Sequence, residues 1–80
     1  MKNVQCYLAQ IFDNKIISLK IVDGAGKVGK LVNALANDLF PLEPDRYKEI
    51  SGALLEDGIY KLDGWSLQWG ILEGNEIKNN

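Results

Sequence analysis

Histidine is absent from these 80 residues. That removes the commonest general base near neutral pH and the commonest metal ligand together. Cysteine occurs once, at Cys6, so no internal disulfide can form, which suits a reducing cytoplasm. No apolar run approaches transmembrane length, and the opening MKNVQCY lacks the apolar core of a signal peptide. Neither membrane association nor export is expected. No basic run occurs either. Nucleic-acid binding draws most of its affinity from cationic contacts to phosphate, so direct binding of nucleic acid is not expected. Internal repeats and low-complexity linkers are missing too.

What remains describes one small folded domain, residues 1–80. A hydrophobic share of 46% and a charged share of 25% are ordinary for a globular chain, so disorder is not expected. The net charge of −2 is unevenly placed. Residues 1–40 carry five lysines against three aspartates, while residues 41–80 carry eight acidic side chains against four basic ones. An acidic second half fits a protein partner with a basic surface.

Val4 to Ile11 alternates as a strand. Asp13-Asn14 makes a two-residue turn, since both residues tolerate positive φ. A second strand, Lys15 to Val22, carries Ile17, Leu19 and Ile21 on one face. A tight hairpin sets Leu8 opposite Leu19 and Cys6 opposite Ile21, so the apolar sets meet on the core side. Tyr7, Ala9, Ile11, Ile16 and Val22 then point outward, among Gln5, Ser18 and Lys20. Val28, Leu31, Val32, Leu35, Leu39 and Phe40 form the stripe of a helix that Pro41 ends. A second helix is expected from about Pro44 to Glu56, with Tyr47, Ile50, Ala53 and Leu54 facing the core and Gly58 as its stop. Gly52 inside it implies close packing against a neighbour. IYKL-DG-WSLQWGIL is an Asp-Gly hairpin, with Leu62 opposite Trp65 and Tyr60 opposite Leu67. Residues 1–3 and about 74–80 are expected to fray. The order ββααββ predicts an α+β fold of two layers. It has a four-stranded, mostly antiparallel sheet made of two hairpins, with both helices on one face.

The octet DGAGKVGK, residues 23–30, fits two phosphate-binding patterns as a string. A Walker loop needs a hydroxyl after its lysine, and Leu31 stands there instead. Eighty residues also leave no room for the parallel sheet that either nucleotide motif requires. Gly24 and Gly26 read as the turn from strand to helix, Asp23 as its cap, and Gly29 as a place for close packing. A lone anion could sit at this helix end on Gly24, Gly26, Lys27 and Lys30.

No catalytic constellation emerges. Glu56 and Asp57 adjoin at a helix end and Asp63 sits in a turn, which reads as a solvated acidic face rather than a converging pair. Cys6 lies mid-strand on the core side with no histidine to activate it. Trp65 and Trp69 share the core side of their strand. Neither a metal nor a cofactor is implied. The reading is a non-enzymatic protein-binding module that acts by surface complementarity. Its contact residues are Tyr7, Ile11, Ile16 and Lys20 on the hairpin, and Glu43, Asp45, Glu49, Glu56 and Asp57 on the acidic half. Self-association through the outer hairpin face is the second reading, and an anion-binding domain at the glycine corner the third.

In size and character, including the acidic stretch EPDRYKEISGALLED, the chain resembles the small inhibitors encoded by phages and mobile elements, anti-CRISPR proteins among them. That resemblance implies a cytoplasmic protein of a bacterial host. It would bind a Cas effector or another nucleic-acid-processing complex and occlude its DNA or guide channel.

Overall fold

Asp13 and Asn14 hold φ of 53° and 64°, the conformation of a two-residue hairpin turn. In the computed structural model, which describes residues 4–72, this turn joins β1 (Gln5–Phe12) to β2 (Lys15–Asp23). Helices α1 (Ala25–Leu39) and α2 (Arg46–Asp57) follow, then β3 (Ile59–Leu62) and β4 (Trp65–Leu72). The strands form one antiparallel sheet in the order β2-β1-β4-β3. The two hairpins therefore meet along β1 and β4, the central strands, and the chain is of the α+β class in the order ββααββ. The termini, where fraying is expected, lie outside the described residues.

Cys6 and Leu8 of β1, Tyr60 of β3 and Leu67 of β4 lie on one side of the sheet and pack against Val28, Val32 and Ala36 of α1 and Ile50 and Leu54 of α2. Both helices thus cover the same face. In α1 the small Ala36 reaches the core, whereas Leu39, a turn further on, is exposed. Phe40 closes α1, donating its backbone N–H to the Ala36 carbonyl at 2.8 Å, just ahead of Pro41. Gly58 ends α2 in the left-handed region at φ 77°. The Gly58 carbonyl then accepts the Trp69 N–H at 3.2 Å, which ties the end of α2 to β4. The tryptophans lie on the core side as expected. Trp69 Nε1–H donates to the Leu54 carbonyl at 2.8 Å, and the Trp65 ring meets Phe40 and Tyr60 edge-on at 6.3 and 6.2 Å.

The register of the first hairpin differs from the expected one. Phe12 pairs with Lys15 and Ile11 with Ile16, but Gln10 then pairs with Ser18, so Ile17 is an extra residue in a β-bulge. Beyond the bulge every β2 side chain changes sides. Leu8 faces Lys20 and Cys6 faces Val22, while Leu19 stands opposite Ala9 and Ile21 opposite Tyr7. Leu19 and Ile21 therefore belong to the outer face. Ser18, Lys20 and Val22 turn toward the helices, where Ser18 and Lys20 share a shallow depression with Gln10 and Asp38.

The glycines also differ from expectation. Gly24 alone makes the corner, at φ 103°, with its N–H bonded to the Val4 carbonyl at 2.7 Å. Gly26 is already helical, and Asp23 makes no cap hydrogen bond. A Cβ placed on Gly29 or Gly52 would meet open space, so neither glycine serves close packing.

Candidate functional site

The sheet has one covered face and one open face, and the open face is strongly apolar on its β2–β1 side. Ile16 is 64% exposed, Leu19 and Ile21 are each 55% exposed, and the bulged Ile17 is exposed beside them. Ile11 and Tyr7 continue the patch on β1, half-buried against these neighbours. Ala9, also on this face, is only 3% exposed, because larger side chains stand around it. Contiguous exposed apolar area of this kind is at the upper end of what monomeric proteins carry and is often functional.

The polar side of the same face is quiet. Across β4 and β3 the register sets Gly70, Gln68, Ser66, Ile59 and Lys61. The Tyr7 ring lies over Gly70, and its hydroxyl accepts the Gln68 Nε2–H at 2.9 Å. A Cβ at Gly70 would stand 2.6 Å from the Tyr7 ring, so the bare backbone is what lets the tyrosine lie flat. Among the described residues this face carries two charged side chains, Asp23 on β2 and Lys61 on β3.

The residues expected at a contact surface do not all share one. Tyr7, Ile11 and Ile16 fall together. Lys20 lies on the opposite, helix-side face, because of the bulge. Ile17, Leu19 and Ile21 join the patch, although the sequence places them in the core. The signal for them is the Ile16-Ile17 doublet beside the turn, where the alternation of β2 changes phase.

The acidic residues divide as well. Glu43 and Glu49 are both engaged by Arg46. Arg46 Nη1–H donates to the Tyr60 hydroxyl at 2.9 Å, and that hydroxyl donates to Glu49 Oε2 at 2.7 Å. The Arg46 guanidinium also lies 4.8 Å from the centre of the Phe40 ring. This cluster clamps the start of α2 onto β3. Burial of the Tyr60 phenol, with help from its bond to Glu49, raises its pKa above the ordinary value. Asp45, Glu56 and Asp57 are exposed and make no ion pair among the described residues.

Lys27 and Lys30 are exposed in the first turns of α1, behind Gly24. The octet is thus a single corner residue followed by helix, without the loop of either nucleotide motif. A cleft of about 210 Å³ opens between the helices over Trp69, lined by Val28, Gly29, Tyr47 and Leu55. Cys6 is buried near the start of β1, on the helix side of the sheet. Among the described residues no three Cys, Asp or Glu side chains gather as a metal site, and no helix is long and apolar enough to cross a membrane. Comparison with protein-family models, with curated proteins and with solved structures finds no match for this chain.

Proposed function

We propose that this chain is a non-catalytic protein-interaction module, and that the open face of the sheet is its contact surface. The observation that carries this reading is the cluster of Ile16, Ile17, Leu19 and Ile21, all more than half exposed beside Tyr7 and Ile11. Four such side chains leave a few hundred Å² of apolar area in water, on the order of the largest patches that monomeric proteins tolerate. Covering them removes an unfavourable exposure of about 25 cal/mol per Å², which offsets part of the cost of association.

The inhibitory role that the resemblance to anti-CRISPR proteins implies is compatible with such a surface. In that role the exposed Asp45, Glu56 and Asp57 would steer the chain toward a basic groove. Glu43 and Glu49 have a smaller part in that scheme, since Arg46 already engages them.

The test is capture of binding proteins by the wild-type chain and by Leu19→Lys. A lysine on this exposed strand position leaves the core untouched and puts a charge in the middle of the patch. Loss of the captured proteins with an unchanged far-ultraviolet spectrum supports the reading. Undiminished capture by Leu19→Lys and Ile21→Lys overturns it.

A further inference from the structure

We infer that the occupant of the open face is a second copy of this chain, and that two copies stack these faces into a sandwich with the helices outward. The inference rests on the reading of the open face as a contact surface and names its partner.

The edges of the sheet are protected against strand addition, but its face is not. Natural sheets blunt their edges with bulges, with inward-pointing lysines or by keeping edge strands short. β2 carries both a bulge at Ile17 and Lys20 turned toward the helices, and β3 has four residues. Contact through backbone pairing is therefore disfavoured along β2 and β3, and the apolar side chains point along the sheet normal instead. Two sheets packed face to face sit about 10 Å apart, which accommodates interdigitating Ile and Leu side chains.

The charges select a self-similar partner. A strongly basic or acidic surface finds no complement on a face whose two charges, Asp23 and Lys61, cancel. They stand at diagonally opposite corners, Asp23 level with Gln5 and Leu72, and Lys61 level with Ser66 and Ile11. A two-fold axis in the contact plane, perpendicular to the Asp23–Lys61 diagonal, sets each Asp23 against the second copy's Lys61. That operation crosses the strands of the two sheets near a right angle, one of the two ways in which sheets pack. The size is also adequate. Strands about 4.8 Å apart with about 3.3 Å per residue give the face a plan area of roughly 500 Å². Side-chain relief brings this toward the ~800 Å² per partner of a stable interface.

The test is sedimentation of the full chain across roughly 1 µM to 1 mM, spanning the affinities of such dimers. The expected result is a species of twice the 8.9 kDa chain mass. Leu19→Lys and Ile16→Asp should each weaken self-association by roughly tenfold or more, as expected for central anchors. Leu55→Lys, an exposed leucine on the helix side, should leave it unchanged. Far-ultraviolet spectra confirm that each variant folds. A wild-type chain that stays monomeric throughout overturns the inference, and so does a dimer indifferent to both open-face variants. A monomeric wild type whose capture of another protein is lost in Leu19→Lys would sink the second copy and leave the contact-surface reading standing. Undiminished capture would sink both.

Discussion

Gly70 and Tyr7 form the tightest residue-scale dependence on the open face. Because a methyl at Gly70 would stand 2.6 Å from the Tyr7 ring, Gly70→Ala must lift the ring and break its bond from Gln68. The atoms met are the far end of a half-buried side chain that can swing outward, so we expect a loss of no more than about 1 kcal/mol by urea denaturation, the low end for overpacking. The cost should largely vanish in a Tyr7→Ala background, since the two residues act as one unit. The Tyr60 hydroxyl is a second such point. Its folded pKa is raised, so the neutral phenol contributes stability that is fully present below the ordinary value of 10. That stability is lost as the pH rises through the folded value. Tyr60→Phe should therefore cost about 1 kcal/mol near neutral pH. The deficit should shrink when denaturation is repeated at about pH 11, where the unfolded wild type is ionised. A deficit constant across that window would show that the Tyr60–Glu49–Arg46 chain contributes nothing specific to the neutral phenol.

At the scale of elements, β2 decides what the surface is. Its sequence is apolar on both sides of the strand, with Ile17, Leu19 and Ile21 in one alternation and Ile16 and Val22 in the other. A turn at Asp13-Asn14 with an unbroken ladder predicts one orientation, and a single extra residue at Ile17 produces the other. The β3–β4 hairpin was legible to the residue because Tyr60, Leu62, Trp65 and Leu67 alternate with one apolar face only, and its register cannot slip without burying Lys61. Helix existence was legible from spacing, but the packing depth was not: Ala36 lies under the sheet and Leu39 does not, which depends on the crossing of α1 over β1. The patch was half legible for the same reason. Tyr7, Ile11 and Ile16 could be read from alternation in either register, whereas Leu19 and Ile21 depend on the bulge. Deleting Ile17 tests this account. The shortened strand can pair Ile16 with Ile11 and Ser18 with Gln10 directly, so Leu19 should remain opposite Ala9. Cross-strand contacts in NMR should show that pairing. The straightened edge should also associate more readily by strand addition, because its bulge is gone. Loss of the Leu19–Ala9 pairing would mean that the bulge itself is needed to hold β2 in this register.

At the scale of the whole molecule two surfaces compete for the contact, the open face and the acidic second half, and they respond oppositely to salt. Exposed charges are screened over about 8 Å at physiological ionic strength, and less than half that distance near 1 M. Contact through Asp45, Glu56 and Asp57 would weaken steeply between about 50 and 500 mM sodium chloride. Burial of Ile16, Leu19 and Ile21 would not, and excluded salts such as sulfate strengthen it. The heat-capacity change separates the two as well, since burial of apolar area makes it negative. We expect association that is nearly indifferent to sodium chloride, tighter in sulfate and accompanied by a negative heat-capacity change, measured by sedimentation and titration calorimetry. Glu56 offers the complementary check. It sits in the last turn of α2, where the helix dipole disfavours a negative charge and no basic side chain offsets it. Glu56→Lys should stabilise the fold by about 0.3–1 kcal/mol. If it also leaves association intact, the acidic half is not the surface that holds the partner. A salt-sensitive association abolished by Glu56→Lys would move the contact from the sheet to the helix side of the molecule.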